Sequence, residues 1–151
     1  MTPRINIAEL APKGYQAMLG VEMYLANSRL PKNTLGLVKL RASQINGCSF
    51  CVDMHAHELK KEGESDERLW SVAAWRESPY FTEAERAALA LCEEVTRLAD
   101  RGETVPDPVW QEAEKHFAPE VLADLVLALA LINAWNRIAV TCRTVPGSYR
   151  K

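Results

Sequence analysis

The chain has no surplus of positive charge: 18 Lys and Arg stand against 20 Asp and Glu, a formal net charge of −2. Nucleic acid is therefore not an expected partner. No acidic block marks a disordered tail, and no internal repeat or low-complexity tract interrupts the chain. The opening MTPRINIAEL lacks the apolar run of a secretory signal. No stretch reads convincingly as a strand. Cysteine is scarce, four in 151 residues, too few for a disulfide scaffold at this size. Without an export signal a reducing cytoplasm is the expected compartment. There a Cys-x-x-Cys reads as a redox or metal-binding pair rather than a structural staple.

What is present suits one globular domain over residues 1–151. Hydrophobic residues make up 48% and charged residues 25%, an ordinary soluble balance. Val121 to Cys142 could be mistaken for a membrane span, with 17 apolar residues among 22. Asp124, Asn133, Asn136 and Arg137 interrupt it, and a charge near the bilayer centre costs about 3 kcal/mol. A buried helix, about 33 Å long, is the expectation, with no membrane partner.

The periodicity predicts an all-α fold. Pro12 and Pro31 bracket a first helix near Lys13–Asn27. Leu35, Val38, Ala42 and Ile45 form one apolar face of a second, near Lys32–Ile45, and Asn46-Gly47 ends it. A third runs from about Cys48 to Lys61. A fourth, near Asp66–Trp75, has Ser65 as its N-cap. A fifth opens at Thr82 with Glu85 three residues on, a capping-box pattern, and carries the seam Ala84, Ala88, Leu91, Val95, Leu98. Gly102 to Pro108 reads as a loop, and a short helix near Trp110–His116 precedes the long apolar one. From Pro146-Gly147 the tail is expected to be loose. Short polar links between helices imply a bundle. The last helix has too little polar surface for an outer wall, so it is expected both in the core and against another subunit.

The most informative stretch is Cys48-Ser49-Phe50-Cys51-Val52-Asp53-Met54-His55. At about 100° per residue, Cys51 lies near 300° from Cys48 and His55 near 340°, one narrow stripe. His55 is one turn beyond Cys51, where helix side chains meet. The thiolate is the nucleophile, and a free cysteine titrates near ~8.5. Two features favour the thiolate here: the start of a helix, with its unpaired N–H groups and dipole, and a base that accepts the proton. Cys51 is thus the candidate attacking thiol. Cys48 would resolve the sulfenic acid or mixed disulfide by closing a Cys48–Cys51 bond. An external dithiol or protein reductant must reset it.

Plainer readings stand beside this one. The cysteines and His55 could be small core residues. They could be three zinc ligands, although a structural site needs four converging ones. His57 lies about 180° from Cys48 and cannot be the fourth. No metal or other cofactor is expected. Glu58 shares the stripe near 280° and could orient the imidazole, although a surface carboxylate paired with a lysine is the more ordinary role. Cys92 and Cys142 read as core packing, and Trp70, Trp75, Trp110 and Trp135 as packing anchors.

The run Leu40-Arg41-Ala42-Ser43-Gln44-Ile45-Asn46-Gly47-Cys48-Ser49-Phe50-Cys51-Val52-Asp53-Met54-His55 resembles the signature of the AhpD-like alkylhydroperoxidases, within the carboxymuconolactone decarboxylase superfamily. Asn133-Ala134-Trp135-Asn136-Arg137 resembles a second family segment. The resemblance implies a helical bundle assembled as a homo-oligomer, trimer or hexamer. It implies a peroxidase cycle in antioxidant defence on a hydroperoxide substrate: Cys51 is attacked, Cys48 resolves, and His55 is the family histidine. Two positions depart. The best-known members have a glutamate twelve residues before the first cysteine, where this chain has Gly36, and a histidine where it has Phe50. A helical glycine costs about 1 kcal/mol, which suggests room for a substrate or a side chain. Glu22 and Glu58 are the candidates to supply the missing carboxylate. The competing functions are a lactone decarboxylase of the same superfamily, against which Cys48 and Cys51 weigh, and a redox-sensing or scaffold protein.

Overall fold

The computed structural model describes residues 2–101 and 104–150, and among these it is all helix, with no strand. The helices are α1 (Ile7–Leu10), α2 (Pro12–Ala26), α3 (Lys32–Ile45), α4 (Ser49–Lys61), α5 (Asp66–Ser71), α6 (Glu83–Thr96), α7 (Leu98–Arg101), α8 (Asp107–His116) and α9 (Pro119–Cys142). Two short 3-10 turns, Val72–Ala74 and Ser148–Arg150, complete the set. The expected all-α fold is therefore present. Gly102 of the expected loop lies outside the described residues, and α8 begins earlier than the loop reading allowed.

Local chemistry accounts for the boundaries. Pro12 sits in the first turn of α2 and Pro119 in that of α9, where a missing N–H costs nothing. Thr82 and Glu85 form the complete capping box of α6. Ser65 accepts from the Arg68 N–H at the start of α5. Gly47 turns the chain out of α3 at φ +66°, a left-handed value suited to glycine.

Helix α3 is the hub, packing against α4, α6 and α9. One core cluster joins Leu35, Val38 and Ala42 of α3 to Leu91 of α6 and Leu125, Leu129 and Ile132 of α9. A second joins Leu37 and Leu40 of α3 to Leu59 of α4, Val72, Trp75, Phe81 and Leu89. Helix α9 is long and apolar enough to cross a membrane by length and composition, yet half of its most apolar window is buried in the protein. Val126, Leu127 and Val140 remain exposed on it.

Three expectations need correction. The tail is ordered: Tyr149 Oη donates to the Asp53 carbonyl at 3.1 Å, and the Arg150 guanidinium meets the Asp53 carboxylate. Trp70 is 76% exposed and anchors nothing, whereas Trp75 is buried and donates to Glu93 Oε1 at 3.0 Å. The room at Gly36 holds neither substrate nor carboxylate, because Leu59 fills it.

Candidate active site around Cys51

The turn before α4 is fixed by an amide knot. Asn46 Nδ2 donates to Asn133 Oδ1 at 2.9 Å and to Asn136 Oδ1 at 2.8 Å. Asn136 Nδ2 donates to Ser43 Oγ at 3.0 Å, and Asn133 Nδ2 to Leu129 O at 2.9 Å and Thr96 Oγ1 at 3.2 Å. Asn133 and Asn136 are buried. Buried amides without partners are expensive, so this set of mutual bonds locks the Asn46-Gly47 turn onto α9. That gives the Asn133–Arg137 segment a physical role: it holds the entrance to α4 in register.

Cys48 is the N-cap of α4, its Sγ accepting the Cys51 N–H at 3.3 Å. The two cysteines are joined as a disulfide with Cα atoms 5.3 Å apart, within the usual reach of such a bond. Cys51, His55 and Leu59 are the buried residues of α4, one every turn along a single face. Cys48 is 1% exposed, Cys51 2% and His55 4%.

Burial here does not mean isolation. Cys51 and His55 border a cavity of about 840 Å³, and Cys48 is not part of its wall. Much of the wall is apolar, with Leu19, Phe50, Met54, Trp135 and Ile138 contributing. Residues 3–8 close one side and Thr144, Val145, Ser148 and Tyr149 another. The backbone N–H of Arg4 donates to Cys142 O at 2.9 Å, which pins the first of these segments to the end of α9. Tyr149 stands edge-on to Phe50, with ring centroids 5.8 Å apart.

His55 Nδ1 lies 2.8 Å from Glu58 Oε2. A carboxylate accepts, so Nδ1 donates to it and Nε2 is left as the ring's acceptor. Glu58 thus partners the imidazole, and the more ordinary lysine pairing is not its main contact. Burial acts to raise the Glu58 carboxyl. The hydrogen bond from His55 and the charges of Lys39 and Lys61 outweigh burial and hold it below its ordinary value. Glu22, the other candidate carboxylate, also borders the cavity, but its partner is Lys39, Nζ to Oε2 2.5 Å.

The remaining residues separate clearly. His57 faces away, its Nδ1 2.8 Å from the Asp53 carbonyl. Cys92 donates to Val38 O at 3.3 Å, and burial pushes its thiol up to about 12, which makes it inert. Cys142 is buried like a core residue but also borders the Cys51 cavity. Among the described residues no three His, Cys, Asp or Glu side chains are grouped to hold a metal ion. Sequence reasoning missed Lys39 and Tyr149, since neither stands at any telling spacing from the cysteines.

Known proteins share this arrangement of helices. The sequence model of the carboxymuconolactone decarboxylase family matches residues 9–94. The uncharacterized protein YdfG of Bacillus subtilis (strain 168) is 38% identical over 140 residues, 93% of this chain and 94% of that protein. The uncharacterized protein YnjA of Escherichia coli (strain K12) is 31% identical over 112 residues, 73% of this chain and 60% of that protein. A crystal structure from Agrobacterium tumefaciens superimposes with a TM-score of 0.91 at 41% identity, covering 96% of this chain and 98% of that one. That protein is of unknown function and has been proposed as the antioxidant defence protein AhpD.

Proposed function

Since this chain belongs to the carboxymuconolactone decarboxylase family, on its AhpD-like side, we propose that it is a dithiol peroxidase cycling through the Cys48–Cys51 pair. The observation that carries the reading is that Cys51, and not Cys48, borders the cavity together with His55. His55 Nε2 takes the Cys51 proton, and the thiolate attacks the distal oxygen of a hydroperoxide. The O–O bond breaks, Cys51 becomes a sulfenic acid, and the alkoxide leaves as alcohol with the proton returned by His55. The Cys48 thiolate then attacks the Cys51 sulfur, the S–O bond breaks, and water leaves. The product is the disulfide seen here. An external dithiol returns two electrons and two protons to reset the pair.

Two further features shape this reading. The wall, largely apolar and enclosing about 840 Å³, suits an organic hydroperoxide better than hydrogen peroxide, since such pockets bury much of a ligand's apolar surface. The exposed apolar residues of α9, Val126, Leu127 and Val140, are read as an assembly face, so the working unit is a homo-oligomer.

The test is a thiol count. Reduced protein mixed with an organic hydroperoxide is expected to lose two thiols per chain rapidly, and Cys51→Ser to abolish the loss. Slow loss from a fully folded protein would overturn the peroxidase and favour a redox sensor.

A further inference from the structure

Two groups on the cavity wall have no part in that cycle: Lys39 on α3 and Glu22 on α2. Their side chains are 11% and 24% exposed, and they meet at 2.5 Å. An enclosed ion pair adds little net stability, because lost hydration offsets the attraction. Charged groups held in a cleft against that cost are marks of a working site. The surroundings of this pair say what the work is. The ammonium of Lys39 acts on the Glu58 carboxylate, and Glu58 in turn holds His55 Nδ1. Charges therefore alternate across three helices, Glu22, Lys39, Glu58 and then the imidazole, along the wall that Cys51 shares. The other ionisable groups facing this wall are Arg4, Tyr15, Cys142 and Tyr149. Arg4 Nη1 donates to Thr141 O, Tyr149 is tied to the Asp53 carbonyl, and the charge of Lys61 acts on Glu58 from its own helix.

We propose that Lys39 and Glu22 are positioning residues that set how readily the Cys51 thiol ionises. Lys39 supplies positive potential to the cavity and acts on the Glu58 carboxylate that holds His55 Nδ1. Glu22 holds the ammonium in place and limits that potential. The inference rests on Cys51 being the reactive thiol, as read above, but not on what oxidises it.

Electrostatic tuning has a signature that packing cannot imitate. Lys39→Met removes a positive charge and disfavours the thiolate. Glu22→Gln removes a negative charge and favours it. The two substitutions must therefore act with opposite signs, and the double variant must largely cancel them. Lys39→Arg, which keeps the charge, should stay close to the parent. A pair that merely props up the fold would give damage in one direction from both.

The experiment uses the full chain carrying Cys48→Ser, since serine also serves as an N-cap. The reduced protein is alkylated with iodoacetamide across a pH series, and the Cys51 peptide is followed by mass spectrometry. Below the midpoint, Lys39→Met is expected to slow alkylation about three- to tenfold and Glu22→Gln to speed it by a similar factor, the effect of one charge in a partly screened site. Midpoints that shift the same way in both variants, or in neither, overturn the proposal. Should Lys39→Met not fold, the sign of the Glu22→Gln shift decides alone. The two readings fail separately. Opposite shifts in a Cys51 that ignores hydroperoxide sink only the peroxidase, whereas unmoved midpoints in a Cys51 that hydroperoxide oxidises sink only the tuning.

Discussion

Replacing Gly36 by alanine should destabilise the protein, against the usual gain from alanine in a helix. A methyl group at position 36 would stand 2.5 Å from Leu59 Cδ2 and 3.0 Å from Leu59 Cγ. Carbon atoms rest about 3.5–4.0 Å apart. Leu59 is fully buried among Leu37, Leu40 and Val72, so it cannot swing into solvent to make room. Overpacking of this kind costs about 1–3 kcal/mol, and a shortfall of an ångström belongs in the upper half of that range. Alanine returns about 1 kcal/mol of helix propensity. The net loss is then about 1–2 kcal/mol, a fall of about 0.5–1 M in urea midpoint for a slope near 2 kcal/mol/M. Urea melts followed by helical circular dichroism measure it. The same substitution in a Leu59→Ala chain supplies the control. With the clash removed only propensity remains, so Gly36→Ala should there stabilise by about 1 kcal/mol. A midpoint at or above the parent's in the Leu59 background would refute the steric argument. A glutamate at position 36, as in the best-known relatives, meets the same leucine one turn beyond His55. Grafting it is therefore no simple way to rebuild a proton relay.

Two more outcomes follow from buried polar groups. Asn136→Ala removes an acceptor from Asn46 and a donor from Ser43 and leaves a small void, for about 2–3 kcal/mol. It should also slow closure of the Cys48–Cys51 bond, and a closure rate equal to the parent's in a thiol count would show that the amide knot does not position Cys48. The second outcome concerns acid. Burial acts to raise the Glu93 carboxyl, but hydrogen bonds from Trp75, Arg41 and Arg76 outweigh it and hold the carboxyl below its ordinary value. The folded state then takes up this proton less readily than the unfolded one. Its contribution is complete above about pH 4.3 and fades as the pH falls through the folded value. A melting temperature tracked from pH 7 downward should drop in that window. Glu93→Gln should flatten the drop while costing about 3–5 kcal/mol at neutral pH, and an acid limb as steep as the parent's would assign the drop to other carboxylates.

The parts of this molecule that could be read from its letters are those governed by near neighbours. Thr82 and Glu85 lie three residues apart and cap one helix. Asn46-Gly47 ends the apolar face of a helix at the position where the backbone turns left-handed. Cys51 and His55 share a face because 4 is a step of a helix, and Cys48 stands just outside it as the N-cap. What resisted reading was joined across distance. Lys39 meets Glu22 from another helix, and nothing in the spacing of either hints at it. The tail looked loose because its own letters offer no partner, yet Asp53 holds both Tyr149 and Arg150. Trp70 was misjudged because a large aromatic usually marks a core, and only the packing of α5 reveals that it faces outward. Glu58 lay within reach of several cations, and only the depth of His55 decided among them.

The chamber beside Cys51 is walled by residues 3–8 and by residues 144–149, stretches made at widely separated moments of synthesis. Until Tyr149 emerges from the ribosome and docks, the nascent protein carries its sulfur pair unroofed. Sheltering of that sulfur therefore waits on a segment made long after the cysteines themselves. A chain cut short before Val145 would leave the chamber gaping beside Phe50, with Cys51 more open to large reagents than in the full chain.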